Sequence, residues 1–497
     1  MSETVWIEKL AVMRKELSQQ LPKLLAFWER VAWDDERQIF RTLGCDNRPL
    51  SDGRRSAVLT ARVLWAFSAA FNLTGMARYL EIADRAYRDY TEHFLAPDGP
   101  DRGGVYESLR ADGRVAEDIR KTYTQAYGIY GLSEYFRASG DPAALDRAVE
   151  LYRLLRAHAL VFDDAGADNG LSGAEKSQSV YFDDAGADGG CVKIRTACSA
   201  AWEPLEGDLA LDSYLHMTEA LTNLAKVWPD PQLREDLANI AGTVLRRWLK
   251  ADGGLWQSRT FDWALTENRS DRFADDAEGA WMLCEAADVL SAEPGTDGGL
   301  REAARQPLDP LSGGLREAAG KPAGLLSGGQ LDAVRHPADS LSDRLREAAL
   351  RMAQHIAADG YDGENGGVFD RGYPDGHTDR DKMWWEESES VLSFLYGAGL
   401  AADAAVTEDP GAGRIMNLPD TEAAAAAEEL VAKAAATWEF IAKYILKEDG
   451  QWIWKVTAGG EEIPALDPAD PLMCPYHGTR VTTLGIPVID RLVRILG

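Results

Sequence analysis

Residues 366–376 read GGVFDRGYPDG and lead within a few positions into DKMWWEESESVL at 381–392. The same order of residue types stands at 103–113, GGVYESLRADG, ahead of KTYTQAYGIYGL, and at 253–263, GGLWQSRTFDW, ahead of RFADDAEGAWML. Each copy reads as a tight turn at a glycine pair, which supplies backbone conformations closed to other residues. A short β-hairpin follows, then a helix whose first turns carry aromatic and ionisable side chains. One such unit is too small to bury a core; stacked units bury one jointly and gather their helix starts on a single rim. The repeat therefore predicts an α/α toroid with one pocket at the hairpin-bearing end.

Apolar residues spaced three and four apart predict helices at 58–73, 78–93, 123–138, 142–158, 208–226, 232–250, 277–290, 343–358, 387–402 and 421–446. Strand signals are confined to the Gly-Gly hairpins, which favours an all-α class over alternating α/β. The expected organisation is one α/α-barrel domain over 1–497 with low-complexity expansions at 161–190 and 298–342. The first contains VFDDAGADNG (161–170) and its near copy YFDDAGADGG (181–190). The second strings together GGLREAARQPLDPLS, GGLREAAGKPAGLLS and GGQLDAVRHPADSLS before the helix DRLREAALRMAQHIA. Proline and glycine in every unit block a continuous helix. Deleting 298–342 is expected to leave the melting temperature almost unchanged, since loop entropy varies slowly with length. A large drop on calorimetry would mean that the tract packs on the core.

Formal charge is −28, which argues against nucleic acid and anionic membrane surfaces as partners. Five cysteines without metal-ligand spacing point to reduced thiols. The opening MSETVWIEKL lacks a basic-then-apolar leader, and no apolar run approaches the roughly 18 residues of a membrane span. The reading is a cytoplasmic monomer or homodimer acting on a small molecule. Phosphate loops, nucleophile elbows and HExxH motifs are absent from the sequence.

Of the seven histidines, His93, His158 and His355 fall within amphipathic helices and suit structural roles; His336 belongs to the repetitive tract, and His377 to a hairpin. His216 follows DSYL with Asp212 one turn earlier, and His477 sits in MCPYHGTR beside Tyr476 and Arg480. A histidine titrates near neutrality and can take and return a proton. Helical spacing places Trp385 with Glu389, Asp275 with Glu278 and Trp281, and Arg62 with Trp65 on shared faces. Aromatic faces beside carboxylates suit a sugar, whose C–H face stacks while its hydroxyls donate. Trp384 points away from its neighbour and is expected to fill the ring.

These pieces together (TARVLWAF, the 121–141 stretch, LHMTEAL, DDAEGAW, WWEESE and CPYHGTR) resemble the N-acylglucosamine 2-epimerase superfamily, which includes cellobiose 2-epimerases and mannose or sulfoquinovose isomerases. The resemblance covers most of 20–495. It implies an (α/α)6 toroid and cofactor-independent, metal-free acid/base movement of the C2 proton of a free reducing sugar. It further implies that His477 is an acid/base, that His216 assists ring opening or proton handling, and that Arg62 holds sugar oxygens. Tyr123, Glu278, Trp281, Trp385 and Glu389 would line the pocket. Where the family usually has His-Asp-x-Glu, this chain has Asp275-Asp276-Ala277-Glu278, and Asp212 replaces a common Asn. Asp275 thus occupies the second acid/base position, where burial and the charges of Asp276 and Glu278 would have to raise its pKa. Epimerisation needs bases on both faces of C2, whereas aldose–ketose isomerisation can run with one. Two other functions fit the acidic helix start: a carboxylate-dependent glycoside or unsaturated-uronide hydrolase, and a sugar-binding relative without turnover.

Overall fold

Helix-forming sequence alternates with turn chemistry along the whole chain, and the computed structural model describes residues 3–97, 103–163, 190–292, 340–406, 420–464 and 473–496. Most of both repetitive expansions, 164–189 and 298–339, and with them His336, lie outside the described residues. Twelve α-helices occur among those described. The odd-numbered ones are α1 (Glu3–Ala32), α3 (Ala77–His93), α5 (Pro142–His158), α7 (Pro231–Thr243), α9 (Leu341–His355) and α11 (Asp420–Phe440). The even-numbered ones are α2 (Ala57–Thr74), α4 (Thr122–Ser139), α6 (Leu211–Ala225), α8 (Phe273–Ser291), α10 (Trp384–Val406) and α12 (Tyr476–Leu496).

The even helices form the inner ring: α2 packs on α4, α4 on α6, α6 on α8, α8 on α10, α10 on α12, and α12 closes back on α2. Sequence dictates which helices go inside. In α2, α4, α6 and α8 nearly every residue of the first three turns is buried, so small and apolar residues occur all round. The outer helix α3 buries one stripe and exposes Arg78, Glu81, Arg88 and Glu92 on the other, while α9 keeps Asp343, Arg346, Glu347 and Arg351 only partly exposed. Helix α2 is apolar and long enough to cross a membrane, but it is buried inside the ring. Asp141-Pro142 and Asp230-Pro231 start α5 and α7, with the aspartate capping and proline in the first turn. Gly75 and Gly140 end α2 and α4 in the left-handed conformation.

Hairpins join outer to inner helices and aim all six inner N-termini at one rim. In the three Gly-Gly copies, the apolar residue after the pair donates its N–H to the fourth residue of the next inner helix. Val105 donates to Gln125, Leu255 to Asp276 and Val368 to Glu387. A Cβ on Gly104 or Gly367, both at φ near +81°, would fall 2.9 Å and 2.7 Å from those same acceptors. Glycine is needed so that the backbone can reach the pin. The aromatic that follows is covered by a cation in each copy: Arg120 over Tyr106, Lys250 over Trp256 and Arg380 over Phe369. The turn is more frequent than its sequence signature, because the same bridge closes Leu43 on Pro49 and Leu446 on Trp452 without a Gly-Gly pair.

Successive units are stitched at the rim. The residue pair before each of five inner helices pairs antiparallel with the following hairpin: Arg55–Ser56 with Ser108–Leu109, Arg120–Lys121 with Ala197–Cys198, Leu209–Ala210 with Ser258–Arg259, Asp271–Arg272 with Arg371–Gly372, and Lys382–Met383 with Lys455–Val456. Three outer helices, α7, α9 and α11, run into five-residue π-turns before their hairpins. These carry the wide predicted ends at 250, 358 and 446. Periodicity missed α1 and α12, each of which contains a proline, Pro22 and Pro487.

Candidate active site

Because the inner helices share a register, the same positions recur around the ring. The sixth residue is Arg62 on α2, Tyr127 on α4, His216 on α6, Glu278 on α8 and Glu389 on α10; the second is Tyr123, Asp212 and Trp385 on α4, α6 and α10, and His477 on α12. With six helices in order, α6 stands opposite α12, so His216 and His477 approach from opposite sides.

Arg480, fully buried, ties the floor together. Its Nη1 donates to Glu219 at 2.6 Å and its Nη2 to Glu278 at 2.7 Å, while Glu389 lies 2.6 Å from Nη2. The rings of Trp281 and Tyr476 flank the guanidinium. Burial disfavours the Glu219 carboxylate, but Arg480, His216 and the Tyr476 hydroxyl outweigh it and bring the group down to about 2.

Two His–Glu pairs hang from this cation. His477 Nδ1 lies 2.7 Å from Glu389, and His216 Nδ1 lies 3.1 Å from Glu219. A carboxylate only accepts, so each Nδ1 carries a proton toward its glutamate. Burial, then Arg480 and Arg62, hold His477 well below the ordinary histidine range, so its resting form is neutral. Ligand atoms of Glu278, Glu389 and His477 come within 4.8 Å of one another. Arg480 already supplies the counter-cation of both carboxylates.

Arg62 donates to the hydroxyls of Tyr123 at 2.9 Å and Tyr127 at 2.7 Å, and stacks on Tyr127 and Tyr476. Among the described residues no carboxylate pairs with it. Its charge therefore stays available to an oxygen in the pocket.

Asp275 keeps 16% of its side chain exposed and accepts no hydrogen bond among the described residues; Arg272 Nε is 4.0 Å away. Burial lifts its carboxyl to about 6; Arg272 opposes the rise, and Glu278 and Asp212 reinforce it. The expected helper Asp276 is not among the leading charges that act on it. On a helix the next residue points about 100° away, and Asp276 is turned toward the Gly-Gly hairpin, where it holds Leu255. The raised value means that folding disfavours ionised Asp275. Its contribution to stability is full below about 3.9 and is lost as pH rises through about 6. Asp275→Asn is accordingly expected to gain about 3 kcal/mol over wild type at pH 8 and to lose that advantage by pH 4, as melting curves at the two pH values would read.

The structure brings His477, Asp275, His216, Glu278, Arg62, Tyr123, Trp385 and Glu389 to the inner-helix starts. Trp281 sits deeper, donating to Glu389 at 2.8 Å beneath the pocket. Trp384 packs on Trp452 and meets His477 edge-on. His377 stacks on exposed Tyr373 at a hairpin tip. His93 bonds Asp89, His158 stacks on Trp202, and His355 lies near Asp276. Sequence reasoning did not single out Glu219, Tyr127 or Arg272, and named Arg480 only as a neighbour. The i,i+3 spacings His216–Glu219 and His477–Arg480 were their one signal.

Fold and site define an α/α-toroid protein whose single ring of helix starts gathers histidines, carboxylates and arginines suited to proton transfer. A family model described as N-acylglucosamine 2-epimerase matches residues 38–176. Sequence and fold comparisons together support a relationship to the N-acylglucosamine 2-epimerase superfamily. It is 25% identical over 474 residues to a cellobiose 2-epimerase of Bacteroides fragilis, spanning 95% of this chain and 97% of that one. It is 26% identical over 149 residues to the N-acylglucosamine 2-epimerase of Mus musculus, spanning 29% of this chain and 35% of that one. In fold it is similar to the cellobiose 2-epimerase of Bacillus thermoamylovorans (TM-score 0.67, 21% identity, 96% and 99% of the two chains). A D-mannose isomerase (TM-score 0.60, 15% identity, 97% of each) is also similar. So is an α-mannanase of Bacteroides thetaiotaomicron (TM-score 0.55, 10% identity, 94% and 96%).

Proposed function

We propose that this protein is a cofactor-independent sugar 2-epimerase acting on a free reducing sugar. The observation that carries the reading is a pair of unlike proton carriers on α8 and α12, Asp275 and neutral His477, with Trp385 of α10 between them. His216, held through Nδ1 by Glu219, would help open the sugar ring. One of the pair then takes the C2 proton, and the electrons of the C2–H bond pass into an enediolate. Arg62 faces the oxygens that bear the new charge, and buried donors of this kind are worth far more than they would be in water. The other group delivers a proton to the opposite face, forming the new C2–H bond. Relatives named cellobiose 2-epimerase make β-1,4-linked disaccharides the first substrates to try.

This chemistry requires the pair to hold one proton between them. Two-base epimerisation should therefore decline as pH rises above about 6, where Asp275 loses its proton. Isomerisation by the Asp275 carboxylate alone should instead rise through that pH and hold. Initial rates of C2 epimer and of ketose, measured from pH 5 to pH 8, separate the two.

The test is incubation with aldoses and β-1,4-disaccharides in deuterated water. Deuterium should appear at C2, and Asp275→Asn should abolish its uptake while sugar still binds. Wild type that binds sugar without exchange would leave a sugar-binding protein. Cleavage of an aryl glycoside that stops in Asp275→Asn would make it a hydrolase. Against the hydrolase stands Glu278, whose carboxylate is held by Arg480.

A further inference from the structure

Beneath Trp385 lies a second group of charged side chains that the proton transfer above does not use. Arg272 is the last residue before α8, in the pair that bridges to Arg371–Gly372 of the next hairpin. Its guanidinium does not cap α8 but reaches across to α10. There it lies over the Trp385 ring, 5.0 Å from its centroid, with Nη2 3.8 Å from Glu386 and Nε 4.0 Å from Asp275. Glu386 is fully buried, and neither of its side-chain oxygens has a hydrogen-bond partner among the described residues; the same holds for Arg272 Nε and Asp370 Oδ1.

We propose that Arg272 is a positioning residue that fits an aspartate, rather than a histidine, to serve as the second proton carrier at position 275, by holding a planar cation between Trp385, Asp275 and Glu386. The inference rests on the epimerase reading.

The argument is one of charge and shape. A carboxylate among acids in a buried site keeps its proton too tightly to act as a base near neutrality. Asp275 faces Glu278 on its own helix, Asp212 and His216 on α6, and Glu386 on α10; Arg272 is the cation nearest to it. Burial and then Asp370 push Glu386 well above the usual carboxylate range, which favours its neutral form. Glu386 therefore does not cancel the charge of Arg272, which acts on Asp275. The planar fork matters as well, because a guanidinium can stack on Trp385 and present its edge to two groups at once, whereas an ammonium cannot. Covering one Trp385 face also leaves the other for a sugar ring.

The test compares Arg272→Met, Arg272→Lys and Glu386→Gln with wild type, each first shown to melt as wild type does. In Arg272→Met the pH limb of C2 exchange due to Asp275 should move upward by about one unit or more, as loss of a neighbouring opposite charge requires. Arg272→Lys should move it less, and Glu386→Gln, an isostere of the neutral acid, should leave it in place. A merely structural role would lower the rate without moving the limb. A folded Arg272→Met with the wild-type limb, or a Glu386→Gln limb shifted downward, overturns the proposal. The Asp275 carboxyl can also be titrated by carbon-13 NMR, using Asp275→Asn to assign its signal. An upward shift in Arg272→Met upholds the coupling even if wild type exchanges no sugar proton, and an unmoved signal overturns it whatever the activity.

Discussion

Arg480→Met should be the most destabilising single substitution in the pocket. It strands Glu219, Glu278 and Glu389, three carboxylates that now share one guanidinium inside the ring. Removing one partner of a single buried ion pair costs about 3–5 kcal/mol, because the remaining charge is left without compensation. Here more than one charge is left, a loss on the scale of the whole stability of an ordinary domain. The deficit should be largest at neutral pH and shrink toward pH 4, as the stranded carboxylates take up protons. Urea denaturation at pH 7 and pH 4.5 reads both effects. A variant within 1 kcal/mol of wild type at pH 7 would show that the floor does not depend on this cation.

His477→Asn should instead leave the fold intact and remove the reaction. The asparagine amide can still donate toward Glu389, where Nδ1–H now sits at 2.7 Å, but nothing replaces the Nε2 lone pair. Removing one general acid/base typically costs about two to four decades in rate. The expected result is a melting curve close to wild type with C2 exchange reduced a hundredfold or more. Wild-type exchange in this variant would exclude His477 as a proton carrier.

Much of this molecule was legible because its information is local. The Gly-Gly turns, the three-and-four apolar spacing and the aromatic-acidic helix starts each lie within about twenty residues of sequence, and they led to the toroid and the pocket rim. The internal prolines hid α1 and α12, although a helix packed along its length against neighbours tolerates the lost bond. The site's organisation was less accessible. Arg480 meets Glu389, Glu278 and Glu219 across 91, 202 and 261 residues of chain, so no spacing rule connects them. Asp275 shows the same limit at short range: its sequence neighbour Asp276 faces the hairpin, while Asp212 acts on it from α6.

The wiring of the floor separates positions that can be exchanged from positions that cannot. His216 and His477 are each bonded to a glutamate that is itself bonded to Arg480, so a side chain at either place that cannot donate to that glutamate would disturb a common counter-ion. Asp275 makes no such bond; its neighbours act on it through space and from the rim. A histidine-for-aspartate exchange at 275 therefore leaves the rest of the circuit undisturbed. The side chain at 275 thus sits as a replaceable cartridge, and its titration can be reset at the rim without rebuilding the ring.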